Sequence, residues 1–184
     1  APAELTIGGA SASLVASVVN TVPIADLYCY FYAAEVPSGT TADIVLTVGG
    51  TNSWHYGVFR VGGADFSLSD SDTNTGSGAT ITLTALTIPT NGAGIASWVN
   101  ATSGTACTWT GGTESYDGSV AAAYRVAAAI ITTVGTNTIT ADGATANQAI
   151  AGIAFRPTYK LAAAQGSYAV NGQAVNLLSG RKLA

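Results

Sequence analysis

The chain has 184 residues, of which only 9% are charged, with ten acidic against six basic side chains, 48% hydrophobic residues and a pI near 4.6. An acidic balance lacks the basic footprint that phosphate binding requires, which excludes nucleic acid as a partner, and no run of 18 apolar residues is present to cross a membrane as a helix. Two cysteines and one histidine are too few for a disulfide framework or a zinc site, so the reading is of a single domain with an appendage, without metal or cofactor.

In chain order, Ser13–Thr21 alternates small and apolar residues, and Leu27–Val36 is the most aromatic run. Pro37-Ser38-Gly39-Thr40 is a turn cluster. Ala42–Val48 sets Ile44, Leu46 and Val48 on one face at period two. Ser53–Val61 sets Trp54, Tyr56, Val58 and Arg60 against His55 and Phe59, between the glycine pairs 49–50 and 62–63. Residues 70–76 read as a polar loop. Ala79–Ile88 then alternates Ile81, Leu83 and Ala85 against Thr80, Thr82 and Thr84. Gly94–Asn100, Thr105–Thr110, Ser119–Thr133, Thr136–Thr140 and Ala149–Phe155 continue the series, with Asp117-Gly118 as a hairpin signal. Ser119–Ala129 is rich in helix-permissive Ala, but Gly118 before it and Ile130-Ile131-Thr132-Thr133-Val134 after it favour a long strand. About ten strands with turn signals roughly every 8–12 residues predict an all-β fold, an antiparallel β-sandwich with jelly-roll-like connections. The expected division is a sandwich over residues 1–157 and a C-terminal hairpin tail over 158–184.

Charge is split along the chain. Residues 1–150 hold all ten acids with Arg60 and Arg125, a formal charge of −8; residues 151–184 hold Arg156, Lys160, Arg181 and Lys182 with no acid, a charge of +4. An acidic body and a basic tail attract each other between copies. So sparse a charge on the body gives little protection against self-association. Two explanations stand: an extracellular β protein rich in Thr and Val, or a subunit largely covered in an assembly. No signal peptide is visible at Ala1-Pro2-Ala3-Glu4, and the absence of Met, even at position 1, is most simply read as removal of an initiator Met.

Few residues invite chemistry. Asp70-Ser71-Asp72-Thr73-Asn74-Thr75-Gly76 resembles the opening of a calcium loop, with oxygen donors from Asp70, Asp72 and Asn74. The sixth position, however, is Thr75 where glycine is wanted, and the twelfth is Ile81 where a bidentate Glu is wanted. A solvated loop is the plainer reading. His55 lies inside a strand-like segment, and no G-x-S-x-G elbow accompanies it. Glu35, Glu114 and Asp117 are candidates for a glycosidase pair by type alone. Cys29 and Cys107 read as small core residues, and a bridge between them requires neighbouring strands. Trp54, Trp98 and Trp109 either form a sugar-stacking platform or fill a core. Asn100-Ala101-Thr102 matches an N-glycosylation pattern.

The tail carries the most specific signal. Tyr159-Lys160-Leu161-Ala162 returns as Arg181-Lys182-Leu183-Ala184, 22 residues later. Asn171-Gly172 is a two-residue hairpin signal between Ser167–Val170 and Gln173–Leu178. A lone hairpin is marginal in water and must dock, either on its own sandwich or on a neighbour's edge. Tyr159, Lys160, Tyr168, Asn171, Gly172, Leu177, Arg181 and Lys182 are therefore the expected assembly residues. The segment Leu161–Leu178 closely resembles a short repeat near the ends of structural proteins of tailed bacteriophages and phage-like particles. The body, with Val58-Phe59-Arg60-Val61 and Ile150–Pro157, is similar to the β-sandwich such proteins carry. The resemblance implies a non-enzymatic component of the virion exterior: a capsid decoration, a spike, or a tail or fibre subunit. It implies a homo-oligomer, often a trimer, in contact with other virion proteins, and no catalytic residues. A carbohydrate-binding module or receptor-binding adhesin that meets a host-surface glycan is the alternative.

Overall fold

A computed structural model describes residues 4–21, 26–35, 42–47, 55–61, 64–120, 123–157, 160–164 and 167–171. The fifteen strands are β1 (Glu4–Ile7), β2 (Ala10–Ser11), β3 (Ser13–Asn20), β4 (Leu27–Ala33), β5 (Ile44–Thr47), β6 (Ala64–Gly76), β7 (Thr80–Ile88), β8 (Ala93–Asn100), β9 (Thr108–Thr110), β10 (Thr113–Val120), β11 (Tyr124–Ile131), β12 (Gly135–Asp142), β13 (Gln148–Pro157), β14 (Lys160–Ala164) and β15 (Ser167–Asn171). Every pairing is antiparallel, and no α-helix occurs among the described residues. The fold is an all-β sandwich.

The centre is a five-stranded sheet in the order β10-β11-β8-β13-β6. A three-stranded sheet, β7-β12-β9, packs on one face, and the β3–β4 hairpin packs on the other. The alternation of β8 and β13 shows how one sheet serves two cores. Ala96, Trp98, Ile150 and Ala154 face the three-stranded sheet and join Ile81, Leu83, Leu86, Ile88, Ala127, Ile131, Ile139 and Ala141. Ile95, Ile153 and Phe155 face the other way and meet Val15, Ala16, Phe31, Phe59 and Leu68. A strand covered on both faces has no solvent side, so Ala149–Phe155 carries no polar residue. At Gly152 a Cβ would come within 2.6 Å of Leu83 Cδ1 and 3.0 Å of Leu86 Cδ2, so the glycine is what allows these leucines to reach the sheet.

Connections repeatedly step between the central and three-stranded sheets: β6 to β7, β7 to β8, β8 to β9, β9 to β10, β11 to β12 and β12 to β13 all do so. This is the jelly-roll-like wrapping. Gly111, at φ 83°, turns the chain from β9 into β10, where a Cβ would collide with the Thr138 carbonyl oxygen.

Two sheets that face each other leave open sides, and β6 and β7 are edge strands on the same side. A row of side chains closes it. Asp70 accepts the amide N–H of Thr87 at 2.6 Å; Asp72 accepts those of Thr84 and Ala85 at 2.9 and 3.0 Å; Asn74 donates to the Thr82 carbonyl at 2.8 Å. The remaining oxygens of Asp70, Asp72 and Asn74 accept the amides of Ser71, Thr73 and Thr75, each at 2.8 Å. Residues 70–76 are thus part of a long strand, not the polar loop expected: their period-two acids sit on the face turned to β7.

The same row explains a second departure from the expected pattern. Between the pairs Leu83↔Ile139 and Leu86↔Asn137, β7 has two residues, Thr84 and Ala85, opposite one on β12. This β-bulge shifts the alternation, so Leu86 and Ile88 enter the core while Ala85, expected inside, is exposed. Both bulged amides are taken by one Asp72 oxygen.

Other boundaries also move. Asp117-Gly118 lies within β10, opposite Ala127 and Val126, and is not a turn. The chain reverses between Val120 and Tyr124, so the long strand expected over Ser119–Thr133 is two pieces. Residues 55–61 lie outside any strand. Strands β1 and β2 were not anticipated; β1 joins β2 and β5 in a small sheet. Cys29 and Cys107 are free and buried on opposite sides of the central sheet, which rules out the bridge: Cys29 Sγ donates to the Ser97 carbonyl, and Cys107 belongs to the core beneath the three-stranded sheet.

Asp72→Ala should destabilise the fold by about 2 kcal/mol, because charge-assisted bonds to three amides are lost at once and two of those amides belong to a bulge. Ser71→Ala, one residue away and exposed, should stay within roughly 0.5 kcal/mol. Urea denaturation of the two variants checks the difference, and equal midpoints would remove the row from its structural role.

Candidate functional site

Asp70, Asp72 and Asn74 spend their side-chain polar atoms on backbone groups of β6 and β7. Among the described residues no group of three or more His, Cys, Asp or Glu is placed to hold a metal ion. Asp117 is fixed by Arg125 in a bidentate pair, with Nε to Oδ1 at 2.6 Å and a second guanidinium nitrogen to Oδ2 at 2.7 Å. Its Oδ2 also accepts the Cys107 amide at 3.1 Å, which ties β10 to the approach to β9. The pair holds the Arg125 guanidinium above its ordinary pKa, through the hydrogen bond to Asp117. Glu35 and Glu114 are exposed, Glu35 beyond the end of β4 and Glu114 on edge strand β10. Of the three, Asp117 is already engaged by Arg125 and the Cys107 amide. His55 stacks on Tyr116 with ring centroids 4.9 Å apart, and partial burial lowers its pKa.

Of the two readings of the tryptophans, Trp98 takes the core one. Its indole is 1% exposed and donates from Nε1 to Gln148 Oε1 at 2.7 Å, and Gln148 in turn donates to the Gly78 carbonyl. Trp109 packs half-buried against the same core, and Trp54 lies outside the described residues. Asn100 is wholly buried and donates to the Ala144 carbonyl at 2.8 Å, so the Asn100-Ala101-Thr102 pattern offers no accessible amide in the folded chain.

What the structure does assemble is an aromatic face that the sequence reading missed. On β4, Leu27, Cys29 and Phe31 turn toward the central sheet, which leaves Tyr28, Tyr30 and Tyr32 on the outer face. Tyr28 stacks on Tyr30 with centroids 5.5 Å apart and planes at 10°; Tyr30 and Tyr32 are 6.2 Å apart and tilted at 52°. Across the pair, Val19 lies opposite Tyr28, Ser17 opposite Tyr30 and Leu14 opposite Tyr32. Leu14, Val19 and Tyr28 are 48, 45 and 48% exposed, large values for apolar and aromatic groups aligned on one sheet face. Tyr28 Oη donates to Asp26 at 2.9 Å, and this bond raises its pKa. The signal for the row was present as Tyr28-Cys29-Tyr30-Phe31-Tyr32, whose alternation assigns the tyrosines to one face.

In the tail, the expected strand Ser167–Val170 is part of β15, and a pairing not anticipated joins β15 to β14: Lys160↔Asn171, Leu161↔Val170, Ala162↔Ala169, Ala163↔Tyr168 and Ala164↔Ser167. Tyr159, Gly172, the expected strand over 173–178, Leu177, Arg181 and Lys182 lie outside the described residues.

No protein-family model, no curated protein and no solved structure matches this chain.

Two outcomes follow from these placements. Calcium at millimolar concentration, or EDTA, should leave the melting temperature unchanged, since the oxygens of Asp70 and Asp72 already serve backbone amides; a shift of several degrees in a thermal melt would reopen the metal reading. Burial raises Cys29 to about 11 and Cys107 to about 12 from 9.0. The folded thiols therefore hold their protons where the unfolded ones ionise. That stability is complete below pH 9 and is lost as pH rises through the folded values. Urea midpoints should fall between pH 9 and 11, and a flat profile would contradict both burials.

Proposed function

We propose that this chain is a non-enzymatic structural subunit on the exterior of a phage-like virion, which works by associating with copies of itself and with other particle proteins. The observation that carries the reading is the outer face of β3–β4. It is apolar, lined by Tyr28, Tyr30 and Tyr32, and belongs to a chain with too little charge to keep copies apart. The charge split and the resemblance of residues 161–178 to phage structural repeats support the same reading, and that resemblance favours a trimer. Asp70, Asp72 and Asp117, three of the acids singled out for chemistry, have structural tasks.

The tyrosine row supports a second reading, binding of a host-surface glycan. The two are distinguishable on a glycan array, where loss of signal in Tyr28→Ala with Tyr30→Ala would favour the second.

Size-exclusion light scattering of the full chain should give a mass several times 18.3 kDa. Arg181→Glu with Lys182→Glu should lower that mass and leave the melting temperature unchanged, because the exchange reverses charge in the tail and leaves the sandwich intact. A wild-type monomer, or an assembly indifferent to the double exchange, would count against the subunit reading or its electrostatic part respectively.

A further inference from the structure

The outer face of the β3–β4 hairpin has two rows of unequal height. On β4 it carries Tyr28, Tyr30 and Tyr32, and on β3 it carries Leu14, Ser17 and Val19. The register sets Leu14 opposite Tyr32, Ser17 opposite Tyr30 and Val19 opposite Tyr28. Val15 and Ala16, at the β3 bulge, both pack into the core below, which is why Leu14 and Ser17 follow one another in the row. A tyrosine reaches past a valine or a leucine and far past a serine. So β4 is a ridge, β3 is a trough, and the trough is deepest at Ser17. The face is open along its length: Leu14, Val19 and Tyr28 are half-exposed, and Ser17 is exposed. Tyr28 and Tyr30 lie nearly parallel with centroids 5.5 Å apart, so each covers one flat side of the other's ring. That leaves a row of ring edges and hydroxyls, not the broad ring faces on which a sugar stacks.

We propose that two copies of this chain meet through their β3–β4 hairpins, outer face on outer face, about a two-fold axis parallel to the strands. This rests on the subunit reading above and names the surface and the symmetry. Such an axis exchanges left for right and keeps position along the strand. The β4 ridge of each copy then lies over the β3 trough of the other, with Tyr30 over Ser17, Tyr28 over Val19 and Tyr32 over Leu14 of the second copy. An axis across the strands would instead set ridge on ridge, Tyr30 on Tyr30, and hold the two troughs apart as a void. The face is thus complementary to itself in one orientation, which is what an isologous contact requires. Size sets its strength. Seven residues of β4 make a ridge roughly 23 Å long on a face two strands wide, and a patch of that size belongs with weak contacts. The contact therefore forms where copies are already held close. It joins them in pairs, so a trimer built on other surfaces would be linked by it to the next one.

The test uses the full chain and reads the light-scattering mass over a range of concentrations. Ser17→Tyr fills the trough and sets tyrosine on tyrosine; Tyr30→Ser removes the ridge and sets serine on serine. A two-fold contact meets each exchange twice, so each alone should raise the concentration of half-association about tenfold. An equimolar mixture of the two variants should restore it, because a chain with tyrosine at both positions then faces a chain with serine at both. Melting temperatures are recorded for each variant. If Tyr30→Ser does not fold, Val19→Tyr and Tyr28→Ser, at half-exposed positions, repeat the logic one pair along. A mixture no better than the single variants overturns the orientation, and the proposal with it. An assembly indifferent to every exchange overturns this surface while the subunit reading survives, and a chain monomeric at all concentrations ends both. A glycan-array signal lost in Tyr30→Ser, with the mass indifferent to the exchanges, gives the face to a sugar and overturns the second copy.

Discussion

The sandwich depends on closing an open side where two sheets meet without sharing a ladder. Strands β6 and β7 present unpaired backbone groups to the same gap, and buried or half-buried amides need partners. A direct ladder is unavailable because the strands belong to sheets stacked face to face. Asp70, Asp72 and Asn74 bridge the gap instead, each with one atom on its own strand's next amide and another on β7. The row runs antiparallel to β7: residue 70 meets 87, 72 meets 84 and 85, and 74 meets 82. The bulge at Thr84-Ala85 belongs to this arrangement, since it gives one carboxylate oxygen two amides and turns Leu86 and Ile88 inward. The opposite side is closed by related means, with Asp117 clamped by Arg125 and holding the Cys107 amide.

These closures account for the scarcity of charge in a new way. Three of the ten acids are bound into the frame rather than left as solvated surface, and one of the six bases is the partner of Asp117. The exposed strand faces rely on threonine: Thr82 with Thr140 at 3.1 Å, and Thr87 with Thr136 at 3.2 Å, are cross-strand hydroxyl pairs on the outer side of the three-stranded sheet. Over Ala149–Phe155 the middle strand β13 needs no polar side at all, and Ala and Gly supply the thin side chains that let two layers approach it.

Strand positions with clean alternation were legible in the sequence: β3, β4, β7, β8, β12 and β13 fall where period two or an apolar run put them. What failed did so for identifiable reasons. Residues 70–76 carry loop-type residues, yet fold as a strand because their acids bond to another strand, a long-range event that local propensity does not encode. Asp117-Gly118 has hairpin chemistry, but the ion pair with Arg125 holds it in β10. The segment 53–61 alternates as a strand should, while residues 55–61 pair with nothing that makes them one. The core placement of Trp98 agrees with the reading of the tryptophans as core, but its Gln148 partner, 50 residues on, was not legible.

The tyrosine face is the position where stability alone does not explain the residue choice. On β7 and β12 the outward positions Thr82, Thr87, Thr136, Thr138 and Thr140 show what this chain uses where a strand meets solvent. The inward residues of β4, Leu27, Cys29 and Phe31, already cover the central sheet, so threonine at 28, 30 and 32 would satisfy the same backbone. Tyrosine there adds half-exposed aromatic area, which water does not favour, and places it beside Leu14 and Val19. A surface that departs from the chain's own rule in size and in aromaticity is the place where a partner would change the energetics most.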